Sequence, residues 1–322
     1  MRNFCFTLVF LFGGVLIGQT PFAIAIHGGA GTIRKSLITP EQEKAYVDKL
    51  SEAIDAGYAV LESGGSATDA VERTLMLLED SPLFNAGKGA VFAHSGRNEL
   101  DASIMQGSGE AGAVAGVLHI RNPIRLARKV MENSNHVLLS GEGAEQFAQE
   151  QGVALVDPTY FYTERQWEAL QAAIKDEQAK PKKMGTVGCV ALDQNGNLAA
   201  GTSTGGLTNK KFGRIGDSPI IGAGTFAENG VAGVSCTGQG EYFIRNVIAY
   251  EVIAQMKWAK RDLAQATQFA IHEKLQKSGG IGGLVALDAQ GNVSFAFNTE
   301  GMYRGYRKQG ESANVAIYGP DK

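Results

Sequence analysis

Apolar and polar positions divide the chain into stretches of helical and of strand texture. Residues 41–63 carry apolar side chains at helical spacing and stop at Gly64-Gly65, and residues 66–79 repeat that pattern. Ser66 with Asp69 three residues later is a capping-box signature for the second helix. Pro123 opens a third helix through Met131, in a position suited to the first helical turn. GAEQFAQEQG (143–152) is a short helix, and the helical pattern returns from Thr163 to about Glu177. FAIAIHGGAGT (22–32), LDASIM (100–105), AGAVAGVLHI (111–120) and HVLLS (136–140) read as strands, with PLFNAGKGAVF (82–92) as a loop.

The texture changes after QAKPKKMG (178–185), a polar, basic segment with a proline that reads as mobile or processed. In TVGCVALDQNGNLAAGTSTGG (186–206), two β runs flank Asn195-Gly196, a hairpin signal. VAGVSCT (231–237) is a strand, residues 238–259 open one long helix, and Asp262 to Lys277 is another. The run VALDAQGNVSFAFNTEG (285–301) then repeats VALDQNGNLAAGTSTGG (190–206) almost residue for residue, a local repeat of one hairpin. Strands that gather into sheets beside paired helices predict an α/β layered domain.

Composition sharpens this picture at three points. Glycine contributes 42 of 322 residues, about 13% against a usual ~7%. It has neither collagen's period nor a proline-rich context, so it marks particular turns and close approaches. A formal charge of −3 with no Lys/Arg block excludes a nucleic-acid footprint. The N-terminus has one early Arg and an apolar run from Phe4 to Ile17, about 14 residues against the ~20 of a membrane span. It reads as a secretory signal over residues 1–20, so the protein is expected to be exported, periplasmic or secreted, without a stable membrane anchor. Ala23 and Ala25 form an A-x-A pattern, but cutting there would remove a core strand, so the cut is expected near Gly18 to Thr20. Of three cysteines, Cys5 leaves with the signal; Cys189 and Cys236 lie in apolar runs and read as buried thiols, with a disulfide as the alternative.

Familiar hydrolase motifs are missing: there is no G-x-S-x-G elbow, no H-E-x-x-H and no P-loop. None of the five histidines sits in a nucleophile motif or at metal-ligand spacing, and His27, in the glycine turn, reads as a structural hydrogen-bonding residue. What remains is Thr186, directly after Gly185, where the basic segment meets an apolar strand. A threonine hydroxyl becomes a usable nucleophile when the chain is cut before it. The freed α-amine, titrating near ~8, can take the hydroxyl proton within the same residue. The plain alternative is a threonine that starts a strand.

The chain resembles the plant-type asparaginase/isoaspartyl peptidase family of N-terminal-nucleophile hydrolases. The resemblance is carried by IHGGAG (26–31), PLFNAGKGAVF (82–92), ELDASIM (99–105), GTVG (185–188), TSTGG (202–206), GRIGDSP (213–219) and SCTGQGE (235–241), in that order. It implies one four-layer αββα domain over 21–322, which cuts itself between Gly185 and Thr186 into an α-subunit (21–185) and a β-subunit (186–322). Thr186 would be the nucleophile, Thr204 the second threonine supporting it, and Thr237 with Gly238 the oxyanion hole. Arg214 and Asp217 would grip the α-carboxylate and α-ammonium of an aspartyl group, with Gly240 adding a backbone contact to the amine, Thr237 and Gly238 also touching the substrate, and Asn85 pointing toward the active site as a further substrate contact. The resemblance further implies a structural sodium ion on the main-chain carbonyls of Leu78, Glu79, Ser81, Phe84, Ala86 and Lys88, no catalytic cofactor, a small-molecule partner and a dimer of αβ heterodimers. The implied activity is hydrolysis of β-aspartyl dipeptides and L-asparagine to L-aspartate. A glycosylasparaginase, or an unprocessed binding protein for aspartyl compounds, stands as the alternative.

Overall fold

The computed structural model describes residues 21–176 and 185–319. The proposed signal (1–20) and most of the basic segment before Gly185 therefore lie outside the described residues. In chain order the main elements are β1 (Ala23–Gly31), α1 (Pro40–Glu62), α2 (Ala67–Glu79), β2 (Leu100–Gln106), β3 (Ala111–Val117), α3 (Pro123–Asn133), β4 (Leu138–Ser140), α4 (Gly141–Glu150) and α5 (Glu164–Lys175). From residue 185 onward come β5 (Val187–Leu192), β6 (Leu198–Thr204), β7 (Thr225–Glu228), β8 (Ala232–Gly238), α6 (Gly240–Asn246), α7 (Ile248–Lys257), α8 (Leu263–Gln268), β9 (Gly282–Asp288), β10 (Val293–Phe297), β11 (Gly301–Lys308) and β12 (Asn314–Tyr318).

Two sheets form: an eight-stranded one in the order β12-β11-β1-β5-β6-β2-β3-β4, and a four-stranded one in the order β10-β9-β8-β7. They pack face to face, with α1, α2 and α3 on the outside of the large sheet and α7 and α8 on the outside of the small one. The order of layers is αββα, as expected. Alternation within single strands builds it. Ile24 and Ile26 of β1 join the core under the helices, while Ala23 and Ala25 join the core between the sheets. Val285 and Leu287 of β9 likewise point between the sheets, and Leu284 and Ala286 point toward α7 and α8. Both faces of these strands are covered, so their sequences read as continuous apolar runs.

The same alternation settles the cysteines. Cys189 lies in the core beneath the helices of the large sheet, and Cys236 in the core beneath those of the small one. The inter-sheet layer separates them, and both are free thiols.

Local signals are mostly realised. The Ser66 hydroxyl accepts from the Asp69 amide at 3.1 Å, closing the capping box of α2. The repeated hairpins share one turn. Asp193 Oδ1 accepts from the amides of Asn195 and Asn197, both at 2.9 Å. Asp288 Oδ1 accepts from Gln290 and Asn292 at 2.9 and 2.8 Å. An aspartate therefore organises each loop, rather than an Asn-Gly pair alone. Two expectations need correction. The helix from residue 238 is broken at Val247, which sits at φ 50°, ψ 51°. The amides of Ala249 and Tyr250 bond the carbonyls of Ala223 and Gly222 instead, so tertiary partners cap α7 separately. The second half of the 262–277 helix widens into a π-helix over Phe269–Leu275. Strand β7, only four residues long, carried no periodicity to reveal it.

Candidate active site

The site forms where β5 and β6 of the large sheet meet the end of β8 in the small one. Thr186 immediately precedes β5, Thr204 ends β6, Thr237 and Gly238 end β8, and the loop between β6 and β7 carries Arg214 and Asp217. One cleft is lined by Gly185, Thr186, Thr204, Gly206, Arg214, Asp217, Ser218, Thr237 and Gly238, among others. The sequence therefore separates by tens of residues what the two sheets bring together.

Thr186 is 7% exposed, and its hydroxyl donates to Thr204 Oγ1 at 3.1 Å. Thr204 Oγ1 also accepts from the Gly206 amide at 3.0 Å, which fixes its orientation. Gly185 packs against the β1 turn: a Cβ on Gly29, which holds φ +109°, would lie 2.3 Å from Gly185 Cα. A bulge between His27 and Gly29 creates this approach, and only glycine fits it.

Two buried polar atoms in the cleft lack a hydrogen-bond partner among the described residues, Asp217 Oδ2 and Thr237 Oγ1. Buried groups are normally paired, so two such atoms in one cleft mark a place for a ligand. Burial pushes the Asp217 carboxyl up to about 7; the nearby Arg214 cation opposes this, and the Glu241 and Asp101 carboxylates add to it. Arg214 is held in a fork by Glu241, with Nε donating at 2.9 Å and Nη2 at 3.1 Å. Glu241 closes the SCTGQGE motif, but nothing in its spacing singled it out as a partner of Arg214.

A family model described as "Asparaginase" matches residues 20–317. The isoaspartyl peptidase of Salmonella typhimurium is 51% identical over 306 residues, covering 92% of this chain and 98% of that protein. The plant-type L-asparaginase of Pyrococcus abyssi is 45% identical over 304 residues, covering 89% and 97%. The probable isoaspartyl peptidase/L-asparaginase 2 of Arabidopsis thaliana is 41% identical over 326 residues, covering 92% and 99%. The chain belongs to the asparaginase family. Its αββα layers are the N-terminal-nucleophile hydrolase fold.

Not every residue singled out by the family motifs faces the cleft. Asn85 is buried, donating to the Gly206 carbonyl at 2.8 Å and accepting from the Val91 amide at 3.0 Å. Its backbone carbonyl also accepts from the Gly205 amide at 3.2 Å, so it braces the turn after Thr204 from behind. Gly240 starts α6 beneath the charged pair; a Cβ there would lie 2.8 Å from both Arg214 Nη2 and the Asp217 amide nitrogen. In the 78–88 loop, Gly87 and Gly89 pack directly against main-chain carbonyls. A Cβ would come within 2.3 Å of Glu79 O at Gly87 and 2.0 Å of Phe84 O at Gly89. The turn thus gathers main-chain oxygens, the donor type that a hard cation takes, within a few residues. The Lys88 ammonium lies 5.3 Å from the Tyr160 ring centre, which leaves only its carbonyl to serve such a site.

Proposed function

We propose that this chain is an isoaspartyl peptidase with L-asparaginase activity, and that Thr186, freed by a self-cut after Gly185, is its nucleophile. The observation that carries the reading is the convergence, in one cleft, of the Thr186–Thr204 hydroxyl pair with the unpartnered Asp217 oxygen, the unpartnered Thr237 hydroxyl and Arg214. The names of the relatives, isoaspartyl peptidase and plant-type L-asparaginase, support the same class of substrate.

Arg214 binds the α-carboxylate and Asp217 the α-ammonium of the aspartyl group. A β-linked aspartyl group, or asparagine, offers both free α groups beside a scissile side-chain amide, which an aspartyl residue in an ordinary peptide does not. The Thr186 α-amine takes the proton from Oγ1, which attacks the amide carbon. The negative oxygen is met by the Thr237 hydroxyl and the Gly238 N–H, donors each worth about a hundred- to a thousand-fold in rate. The tetrahedral adduct expels the leaving amine, which takes the proton from the Thr186 ammonium. Water, deprotonated by the same amine, then hydrolyses the ester and releases L-aspartate.

A sodium ion on the carbonyls of Leu78, Glu79, Ser81, Phe84, Ala86 and Lys88 belongs to the same reading. It would hold the loop that carries Asn85, and with it the turn after Thr204. A melting temperature higher in sodium chloride than in choline chloride supports the ion, and equal values remove it. Export and pairing into a dimer of αβ units complete the proposal; the apolar run of residues 4–17 supports the first.

A denaturing gel with N-terminal sequencing tests the central claim. Two fragments, the shorter beginning at Thr186, support it; a single uncut band after days of incubation refutes it and favours a binding protein. Kinetics on β-Asp-Leu, L-asparagine and a glycosylated asparagine then set the substrate class. Turnover of the last alone would make the enzyme a glycosylasparaginase.

A further inference from the structure

Behind the cleft runs a chain of buried hydroxyls that ends on the nucleophile's own backbone. His27 is fully buried in β1, with Nδ1 3.0 Å from the Thr186 carbonyl oxygen and Nε2 3.1 Å from Ser235 Oγ. Ser235 Oγ lies 2.7 Å from Thr202 Oγ1. Thr225 Oγ1 lies 2.5 Å from Thr202 Oγ1, and Ser103 Oγ 2.8 Å from Thr225 Oγ1. Ser103, Thr202, Thr225 and Ser235 are all fully buried.

The protons at the His27 end of this chain can be assigned. A carbonyl only accepts, so Nδ1 must carry the proton toward Thr186. Burial pushes the imidazole down to about 3, so the ring is neutral and Nε2 is an acceptor. Ser235 must then donate to Nε2, which leaves its oxygen to accept from Thr202. Thr202 in turn accepts from Thr225, and its own proton is shared between Ser235 and the Gly224 carbonyl at 3.1 Å. The direction is fixed at the His27 end, where the Ser235 and His27 protons both point toward Thr186 and each bond polarises the next. The single Ser103 proton has two acceptors, the Ser218 carbonyl at 2.6 Å and Thr225 Oγ1 at 2.8 Å, so the far end of the chain is tied to the charged loop that carries Asp217.

The sequence clears space for this contact. Gly188 pairs with His27 across β1 and β5, and a Cβ there would lie 1.9 Å from Ser235 Oγ and 2.2 Å from His27 Nε2. No side chain larger than hydrogen is compatible with the His27–Ser235 bond, which gives the second glycine of GTVG a purpose separate from the cut at Gly185.

We propose that His27 is a positioning residue for the nucleophile: Ser235, backed by Thr202 and Thr225, locks it in the Nδ1–H tautomer, and that tautomer pins the Thr186 carbonyl. Once the chain is cut, the Thr186 backbone has lost its upstream neighbour. Its α-amine and hydroxyl must still hold one geometry, and the bond from His27 supplies a fixed point one carbonyl away. In the other tautomer, the Nδ1 lone pair would face the carbonyl oxygen and repel it. The inference rests on Thr186 being the nucleophile.

The test combines nitrogen-15 imidazole NMR with kinetics on the processed protein. His27 is assigned by loss of its signal in His27→Gln. The wild type is expected to show one tautomer, protonated at Nδ1, from pH 5 to 8. Ser235→Ala is expected to give mixed tautomers and lower kcat on β-Asp-Leu about tenfold with KM within twofold, since a small misplacement of the reacting group acts on the chemical step. Thr202→Val is expected to change both readouts in the same direction, and Thr202→Ser to restore them. A wild-type ring protonated at Nε2, or Ser235→Ala with unchanged kcat, overturns the proposal. If Ser235→Ala does not fold, the wild-type tautomer and the Thr202 pair decide. A wild type that never hydrolyses β-Asp-Leu would refute the proposed function instead, while the tautomer is still read from the spectrum.

Discussion

Replacing Asp217 with asparagine should stabilise the protein while abolishing binding of the aspartyl group. Asp217 is 4% exposed, one of its oxygens has no partner among the described residues, and burial lifts the carboxyl from 3.8 to about 7. The difference is about three pH units, at ~1.4 kcal/mol each, so an ionised Asp217 costs the folded state about 4 kcal/mol. The sign follows from proton binding. Between about pH 4 and 7 the unfolded chain is already ionised at this residue while the folded protein keeps its proton. The cost therefore accrues as pH rises through that window and is constant above it. An asparagine carries none of it. Urea denaturation of Asp217→Asn against its parent, both in a Thr186→Ala background so that neither is cut, should show a stability gap that widens by about 3 kcal/mol between pH 4.5 and 8. A gap independent of pH, or a variant less stable at pH 8, would refute the reasoning: the carboxylate would then be satisfied by a group other than a ligand ammonium. The same ionisation governs activity. The empty site must be ionised at Asp217 to receive an ammonium, so kcat/KM should fall about tenfold per pH unit below about 7. The pH dependence of kcat should lie lower, because the bound ammonium favours the carboxylate.

Three further outcomes follow from individual contacts. Thr204→Val removes the oxygen that accepts from both Thr186 Oγ1 and the Gly206 amide, and kcat on β-Asp-Leu should drop by about a hundredfold, with full activity counting against the pair. Gly29→Ala places a Cβ 2.3 Å from Gly185 Cα at φ +109°, and should leave the chain as one uncut band on a denaturing gel; normal processing would show that the turn does not shape the junction. Glu79, fully buried and bonded to Ser203 and the Ile124 amide through one oxygen, is pushed up to about 8 by burial. As a raised carboxyl it keeps its proton in the folded protein while the unfolded chain ionises, so its cost accrues as pH rises from about 4.5 to about 8 and is constant above. Glu79→Gln should therefore match the parent at pH 5 and be the more stable of the two at pH 9 in thermal denaturation; parallel curves would mean that Glu79 folds ionised.

Local rules made much of this molecule readable. The Ser66 capping box, the helical spacing of residues 41–63 and the apolar strands required only neighbours within a turn or a pleat. Thr186 could be noticed from its setting alone, after a glycine and ahead of an apolar strand, and the ordered motifs placed it in a family. Long-range decisions were not readable in the same way. Val247 breaks what looks like one helix because the Gly222 and Ala223 carbonyls capture the following amides. Glu241 reads as an ordinary first-turn acid until the 205–224 loop sets Arg214 against it. Cys189 and Cys236 have equivalent sequence surroundings, and only the stacking of two sheets puts an entire core between them. Asn85, which the motif placed near the site, proved to clamp Gly206 from behind.

Residue order by itself thus determined the α/β class and the elements set by spacing and capping, and left Thr186 open between a nucleophile and a plain strand start. The tertiary structure decided which polar atoms stay unpaired, which charges face each other and which way a buried histidine must point. The physical reason is range: periodicity and capping act over a few residues, whereas burial and hydrogen-bond partnership depend on strands such as β1, β5, β6 and β8, which meet only when both sheets have formed.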